Sequence, residues 1–190
     1  MTQWPGYQAT KRTLISTLSG TVLEIGAGRG ANLPLLPACL DWTGLEPHAR
    51  TRRALTKAAE RSQHESTGGR QVLAGRAEEI PLPTASIDVV LSTAVLCSVD
   101  DVGAVLTEIR RVLRPGGRFV FLEHVAAPRE SGLFRLQRAI APITRVVDRG
   151  CDPSRDLAPA IAAAFSEVHL DRHTASGLLK ISFIAGTARA

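Results

Sequence analysis

Residues 21–33 read TVLEIGAGRGANL, and the architecture of the whole chain follows from how this stretch is understood. A short apolar run ends in Gly26, Gly28 and Gly30, which alternate with Ala27 and Arg29. The run predicts a buried strand, and the glycines a tight turn out of it. Two kinds of ligand-binding loop fit these residues. Gly26-Ala27-Gly28-Arg29-Gly30-Ala31 satisfies the dinucleotide fingerprint G-x-G-x-x-G/A, and Glu46 stands 20 residues beyond Gly26, where an acid binds ribose hydroxyls. The same residues also spell E-x-G-x-G-x-G, with Glu24 two residues ahead of the first glycine. A strand-to-helix turn that holds no ligand is the third reading.

Outward from this loop the chain alternates strand and helix. WTGLE, RQVLAG, IDVVLST and GRFVFLEH read as further strands, the last opened by the turn RPGG. Residues 49–61 are rich in helix formers, and residues 101–113 place Val102, Val105, Leu106, Ile109, Val112 and Leu113 near one helical face. Repeated strand–helix–strand units predict an α/β fold, a mostly parallel sheet with helices on both faces. Such sheets bind ligands at the carboxyl ends of their strands, near the switch in strand order. After His124 the rhythm changes. Residues 129–149 form an amphipathic segment interrupted by proline, with Leu133, Phe134, Leu136, Ile140 and Ile143 on its apolar side. In GCDPSRDLAPAIAAAF, Asp152 is placed to cap a helix with Pro153 at its first position, and Pro159 kinks or delays that helix. SEVHLDRH and LLKISFIAGTAR close the chain as a hairpin. No repeat or linker divides the 190 residues, which predict a single domain.

Composition narrows the class. Hydrophobic residues make up 44 % of the chain, as in an ordinary globular protein. No apolar run approaches the roughly 18 residues of a membrane span, and MTQWPGYQATKR has no signal-peptide core, so a cytoplasmic protein is expected. Cys39, Cys97 and Cys151 are odd in number and far apart, which indicates neither a disulfide framework nor a metal site. The formal charge of +5 comes from 20 arginines and 3 lysines, scattered along the chain without a basic run. With only 4 % aromatic residues there is little to stack exposed bases, so a nucleic-acid substrate is not favoured.

Taken together, VLEIGAGRGANL, GLEP, GRAEEIPLPTASIDVVLSTAVL and RRVLRPGGRFVFLEH resemble the successive motifs of class I S-adenosylmethionine-dependent methyltransferases. The resemblance runs from about Leu14 to the C-terminus. It implies a Rossmann-like sheet of seven strands, mostly parallel and completed by a C-terminal antiparallel hairpin. It also resolves the glycine loop in favour of S-adenosylmethionine, with S-adenosylhomocysteine as product. By that resemblance Glu24, Gly26, Ala27 and Gly28 lie around the amino-acid part of the cofactor. Glu46 and Pro47 meet the ribose, Ala77 and Glu78 the adenine, and Ser92 and Thr93 the methionine part. One departure stands out: Arg76 occupies the place of an aspartate that contacts the adenine amino group in many small-molecule members. Adenine is then left to Glu78 or main chain.

The acceptor is narrowed in the same way. The (N/D)PP(Y/F/W) motif of enzymes that methylate base amines is replaced here by STAVLCSV. STAVLCSV, RRVLRPGGRFVFLEHVAAP, RGCDPSRD and AAAFSEV, together with GANLPLLP, resemble the methyltransferase-like thiol S-methyltransferases and their bacterial relatives. That resemblance implies a small apolar thiol as substrate. The mammalian members carry an N-terminal hydrophobic segment that these residues do not show, so membrane attachment is not implied. His124, at the end of the fifth strand, is the candidate catalytic base, against a role in the pocket wall. Cys97 and Cys151 are candidate pocket residues, against buried small hydrophobes. Arg155 would bind substrate, or pair with Asp152 or Asp156. Trp4 and Tyr7 belong either to a lid formed by residues 1–13 or to a loose terminus. Residues 125–155 form a cover over an apolar substrate or, through their arginines, meet a membrane surface. An O- or C-methyltransferase of a phenol, quinone or lipid-like molecule is the rival activity. A cofactor-binding regulatory partner without turnover is the non-enzyme alternative.

Overall fold

Strand β1 (Thr21–Ile25) is buried along nearly its whole length, as the inner strand of a parallel sheet is, even though it carries Glu24. It lies inside a seven-stranded sheet with β2 (Asp41–Leu45), β3 (Arg70–Leu73), β4 (Ile87–Thr93), β5 (Leu113–His124), β6 (Glu167–Ala175) and β7 (Ile181–Arg189). The computed structural model describes residues 5–147, 150–175 and 181–189. The strand order is β3-β2-β1-β4-β5-β7-β6. Strands β1 to β5 pair in parallel, and β7 runs antiparallel to both β5 and β6. The order reverses between β1 and β4, so the carboxyl ends of these two strands flank the crevice where such sheets hold ligands.

Successive side chains of a strand face opposite ways, and β1 divides the core accordingly. Val22 joins Ile15, Leu40, Trp42 and Leu55 on one face. That face is covered by α1 (Pro5–Ser16), α2 (Ala49–Gln63) and the short 3-10 turn Leu33–Leu35. Leu23 and Ile25 join Val90, Val105, Ile109, Phe119, Phe121, Ile161 and Phe165 on the other, under α3 (Val102–Val112) and α5 (Ala158–Ala164). Helices therefore lie on both faces, as expected. Asp101 caps α3 by accepting the Ala104 N–H at 3.0 Å, and Val105, Leu106, Ile109 and Val112 are buried at helical spacing. Each such side chain contributes about 1.5–3 kcal/mol.

Three expectations need revision. The fifth strand begins at Leu113, not after the RPGG turn, because Leu113 still pairs with Ile87 before the register shifts to Arg118 opposite Val89. The turn becomes an irregularity within the strand, with Gly116 at φ +79. Asp152 caps no helix. Its carboxylate accepts the Ser154 N–H and hydroxyl at 2.9 and 2.6 Å, closing a local turn. The helix is delayed to Ala158–Ala164, with Pro159 in its first turn, where a missing N–H costs nothing. Finally, residues 5–16 are helical rather than loose. Tyr7 and Ile15 anchor this helix, Tyr7 by an edge-on contact with Phe183 at 5.3 Å between ring centres.

The amphipathic segment after β5 is helix α4 (Gly132–Val147), with Pro142 inside it. Gln137 ties it down by accepting the Ala127 N–H at 2.8 Å.

Candidate active site

A cleft of about 350 Å³ opens at the carboxyl ends of β1, β2 and β4. Gly26, Gly28, Glu46, Pro47, Ala77 and Glu78 line it, together with Ala94, Val95, Ser98, Val99, Asp100 and Gly150. The size is that of an ordinary small-molecule site.

The first two loop glycines are required for different reasons. Both have positive φ, +58 at Gly26 and +59 at Gly28. A Cβ on Gly26 would stand 2.7 Å from a methyl of Val95, so this glycine lets the loop after β4 pack against the loop after β1. A Cβ on Gly28 would meet only the Gly26 carbonyl at 3.8 Å and would project into open space along the cleft wall. Gly28 thus keeps room for a ligand, as a glycine at a close approach does.

Glu46 follows β2 and is only 4 % exposed although it lines the cleft. Its two carboxylate oxygens accept the Gly28 N–H at 3.1 Å and the His48 N–H at 3.0 Å. A carboxylate has about four acceptor positions, so capacity remains for ligand hydroxyls. The Arg52 guanidinium fixes the same turn from behind through the Glu46 and Pro47 carbonyls. At the other end Glu78 accepts the Asp100 N–H at 3.0 Å and an Arg76 N–H at 3.2 Å. Burial pushes the Glu78 carboxyl upward, but these hydrogen bonds outweigh it and hold the group below its ordinary value. Arg76 also pairs with Asp100, so the arginine that departs from the family pattern ties together two acids of the cleft wall.

The loop after β4 is held by a residue that the sequence reading passed over. Glu123 in β5 is fully buried and accepts the Ser92 hydroxyl at 2.5 Å and the N–H groups of Val95 and Leu96 at 2.9 and 3.0 Å. Burial pushes its carboxyl up to about 7, against the opposing pull of those donors and of His124. Ala94, at φ +55, makes the bend that turns Val95 and Leu96 toward this carboxylate. The only sequence signal was an acid inside an otherwise apolar strand.

Several expected cofactor residues turn out to brace the site from behind. Glu24 is 2 % exposed and accepts from the indole N–H of Trp42 and the Asn32 amide, at 2.9 and 2.8 Å. Burial raises its carboxyl to about 7. The Asn32 amide also reaches the Thr93 hydroxyl at 2.9 Å, which joins the ends of β1 and β4. Ala27 packs into the core, with its N–H on the Leu45 carbonyl. Ser92 faces Glu123. None of Glu24, Ala27, Ser92 and Thr93 lines the cleft.

The expected substrate residues gather beside the cleft rather than on it. Arg155 pairs with neither Asp152 nor Asp156. Its guanidinium donates to the Leu96 and Val99 carbonyls at 3.1 and 2.6 Å, clamping the loop after β4. Asp156 is bound instead by Arg172. Cys97 and Cys151 are buried with their sulfurs 3.6 Å apart, while their neighbours Ser98 and Gly150 line the cleft. Tyr7 is buried, and burial together with the nearby Glu123 and Cys97 pushes its hydroxyl well above the ordinary tyrosine value. His124 ends β5 opposite Phe183, and its Nε2 is buried without a hydrogen-bond partner among the described residues. Trp4 lies outside the described residues.

A family model described as a methyltransferase domain matches residues 23–121. Human thiol S-methyltransferase TMT1B is 36 % identical over 174 residues, which cover 87 % of this chain and 71 % of that protein. Human thiol S-methyltransferase TMT1A is 35 % identical over 169 residues, covering 84 % and 69 %. The chain belongs to the methyltransferase family. Among solved structures, an S-adenosylmethionine-dependent methyltransferase from Thermotoga maritima, described as a possible histamine N-methyltransferase, matches with TM-score 0.67 and 25 % identity over 96 % of this chain and 89 % of that one. The geranyl diphosphate C-methyltransferase of Streptomyces coelicolor, solved with S-adenosyl-L-homocysteine, shares the fold at TM-score 0.72 and 14 % identity, over 96 % and 77 %.

The methyltransferase uses S-adenosylmethionine, and its cleft fits that molecule. Gly28 leaves open the space that a side chain would fill, and Glu46 presents spare acceptor positions for a ribose diol. Glu24, bonded to Asn32 and Trp42, does not line the cleft.

Proposed function

We propose that this methyltransferase moves the methyl group of S-adenosylmethionine to the sulfur of a small apolar thiol. The observation that carries the reading is the 36 % identity to a thiol S-methyltransferase over 87 % of the chain. That span reaches well beyond the matched family model, into the region that ordinarily varies with the acceptor.

S-Adenosylmethionine supplies a methyl group already activated as a sulfonium. The residues of this chain have the simpler task of binding, aligning and deprotonating. A thiol with a pKa of about 8.5 is roughly 3 % ionised at pH 7, and ionising the rest costs about 2 kcal/mol. Placement in line with the methyl group therefore accounts for most of the rate, and a weak base completes it. Gly28 and Glu46 fix the nucleoside end, and Glu78 the adenine end. The loop after β4, held by Glu123 and Arg155, forms the wall on the methionine side. The acceptor sulfur bonds to the methyl carbon as the carbon–sulfonium bond breaks. The thiol proton is taken to pass to Nε2 of His124 at the end of β5, a nitrogen that has no hydrogen-bond partner among the described residues, although the residue itself does not line the cleft. The products are a thioether and S-adenosylhomocysteine. Residues 125–155, which carry α4 and return to the cleft at Gly150, serve as the substrate cover.

The test is a competition assay in which S-adenosylmethionine is offered with matched aryl and alkyl thiols, phenols and amines, and the products are identified by mass spectrometry. Thioethers alone are expected. Methylated phenols beside untouched thiols would replace the sulfur acceptor with oxygen. Cofactor binding without any product would point to the regulatory partner.

A further inference from the structure

Cys97 and Cys151 come from separate segments, yet their sulfurs lie 3.6 Å apart. The pairing is built into the backbone: the Asp152 N–H donates to the Cys97 carbonyl at 2.9 Å and fixes the two segments side by side. The residues are only 2 % and 6 % exposed, but the positions next to each, Ser98 and Gly150, form part of the cleft wall. The methyl-transfer steps proposed above assign no role to this pair.

The spacing selects among soft ligands. With sulfur bonds of about 2.3 Å, a linear two-coordinate ion would hold its sulfurs about 4.6 Å apart, and a tetrahedral centre would hold them about 3.8 Å apart. The observed pair matches the bent arrangement. Zinc would need two further ligands, and among the described residues no group of three or more histidine, cysteine, aspartate or glutamate side chains is placed to hold a metal. Trivalent arsenic carries its own third substituent, so two sulfurs complete its pyramidal coordination. The exchange also leaves no net charge in a buried site, which suits an environment hostile to ions. The Cys151 thiol, burial and the nearby Glu123 carboxylate all hold the Cys97 thiol above its ordinary range, so it is not a reactive thiolate.

We propose that Cys97 and Cys151 form a dithiol site for neutral trivalent arsenicals, and that filling it weakens cofactor binding. With an arsenoxide two sulfur–arsenic bonds form, two S–H bonds break, and the arsenic-bound oxygen leaves with both protons as one water. Arsenic remains trivalent, so no oxidant or reductant enters. The coupling to the cleft is steric. A Cβ on Gly150 would already meet the Ser98 carbonyl at 2.9 Å, so these segments have no slack to receive an arsenic atom and its substituent. Admitting them separates the segments and breaks the Asp152–Cys97 hydrogen bond at the cleft wall.

The experiment titrates phosphine-reduced protein with phenylarsine oxide under native mass spectrometry, with cofactor affinity measured by calorimetry before and after. One adduct per chain is expected, equal in mass to the reagent less one water. It should be released by a dithiol such as 2,3-dimercaptopropanol but not by the same concentration of a monothiol. Cys97→Ala and Cys151→Ala should each abolish it, while Cys39→Ser, a change at an exposed thiol, should retain it. Cofactor affinity should fall about tenfold, the equivalent of one lost buried hydrogen bond. No adduct on the unaltered protein, release by monothiol, or an adduct that survives in both cysteine variants would overturn the site. An adduct with unchanged cofactor affinity would overturn the coupling. Because the readouts are mass and cofactor affinity, the result stands apart from whether sulfur is the methyl acceptor.

Discussion

Glu46 has two functions in one carboxylate. It organises the glycine loop through Gly28 and His48 while keeping acceptor capacity turned to the cleft. Glu46→Ala removes both functions, and hydrogen bonds to a charged group are each worth about 1.5–3 kcal/mol. Affinity for S-adenosylmethionine should fall about a hundredfold or more by calorimetry. Unchanged affinity would remove Glu46 from the cofactor site. His124 calls for a different measurement, because its proposed effect depends on how much thiolate already exists. At pH 6 nearly all of an ordinary thiol is protonated, whereas at pH 9 most is ionised. His124→Ala should therefore lower turnover about tenfold at pH 6 and little at pH 9. An equal loss across the pH profile would mean that the ring only fills space beside Phe183. Glu46 was legible in the sequence because its distance from Gly26 has a mechanical meaning. Glu123 was not, since one acid in an apolar strand does not reveal which backbone donors a later fold will bring to it.

At the scale of elements, the decisive piece is the loop after β4. It has little regular structure of its own and is fixed by side chains from elsewhere: Glu123 from β5 on its N–H groups and Arg155 on its carbonyls. Arg155→Ala frees two buried carbonyls at once. The variant should bind S-adenosylmethionine about tenfold less tightly and melt several degrees lower, because each unsatisfied group costs about 1–3 kcal/mol. Both bonds come from one terminal guanidinium nitrogen, so Arg155→Lys, whose ammonium carries three donors, should recover much of this. If Arg155 bound substrate instead, the Michaelis constant for the thiol would rise while cofactor affinity and melting temperature stayed the same. The strands and α3 could be read from periodicity because each buries a regular stripe. The segment around Asp152 was misread because a cap and a turn use the same aspartate chemistry, and Pro153 and Pro159 both suit the start of a helix. Only tertiary contacts choose between them. For Arg155 the sequence leaves substrate binding and pairing with Asp152 or Asp156 both open and does not show the contacts it makes, because its carbonyl partners lie more than fifty residues away in sequence.

Across the whole molecule, the parallel sheet and its switch point place the cleft, and two buried acids flank the strand that ends there. Glu24 in β1 and Glu123 in β5 sit on either side of β4, tied to its end through Asn32–Thr93 and through Ser92. Burial raises both carboxyls from the ordinary 4.5 to about 7. A carboxyl whose value is raised on folding stabilises the fold while it stays protonated, below the unfolded value, and that contribution is lost as pH rises through the folded one. At 1.36 kcal/mol per unit, each acid withdraws about 3 kcal/mol between pH 4.5 and pH 7. Asp88 and Glu108 act in the opposite sense, since hydrogen bonds and arginine partners hold them below their ordinary values. Their contribution is lost only as pH falls below the ordinary carboxylate range. Thermal stability should accordingly be greatest near pH 5 and fall by on the order of 10 °C by pH 8 in scanning calorimetry. Glu24→Gln and Glu123→Gln should each flatten that slope, because an amide has no proton to lose. A melting temperature that instead rises from pH 5 to pH 7 would mean that the donors around both carboxylates outweigh burial. The donors that fix the end of β4 are thus organised around two acids whose burial costs the sheet stability as pH rises toward 7, a local cost of the kind that functional sites commonly impose.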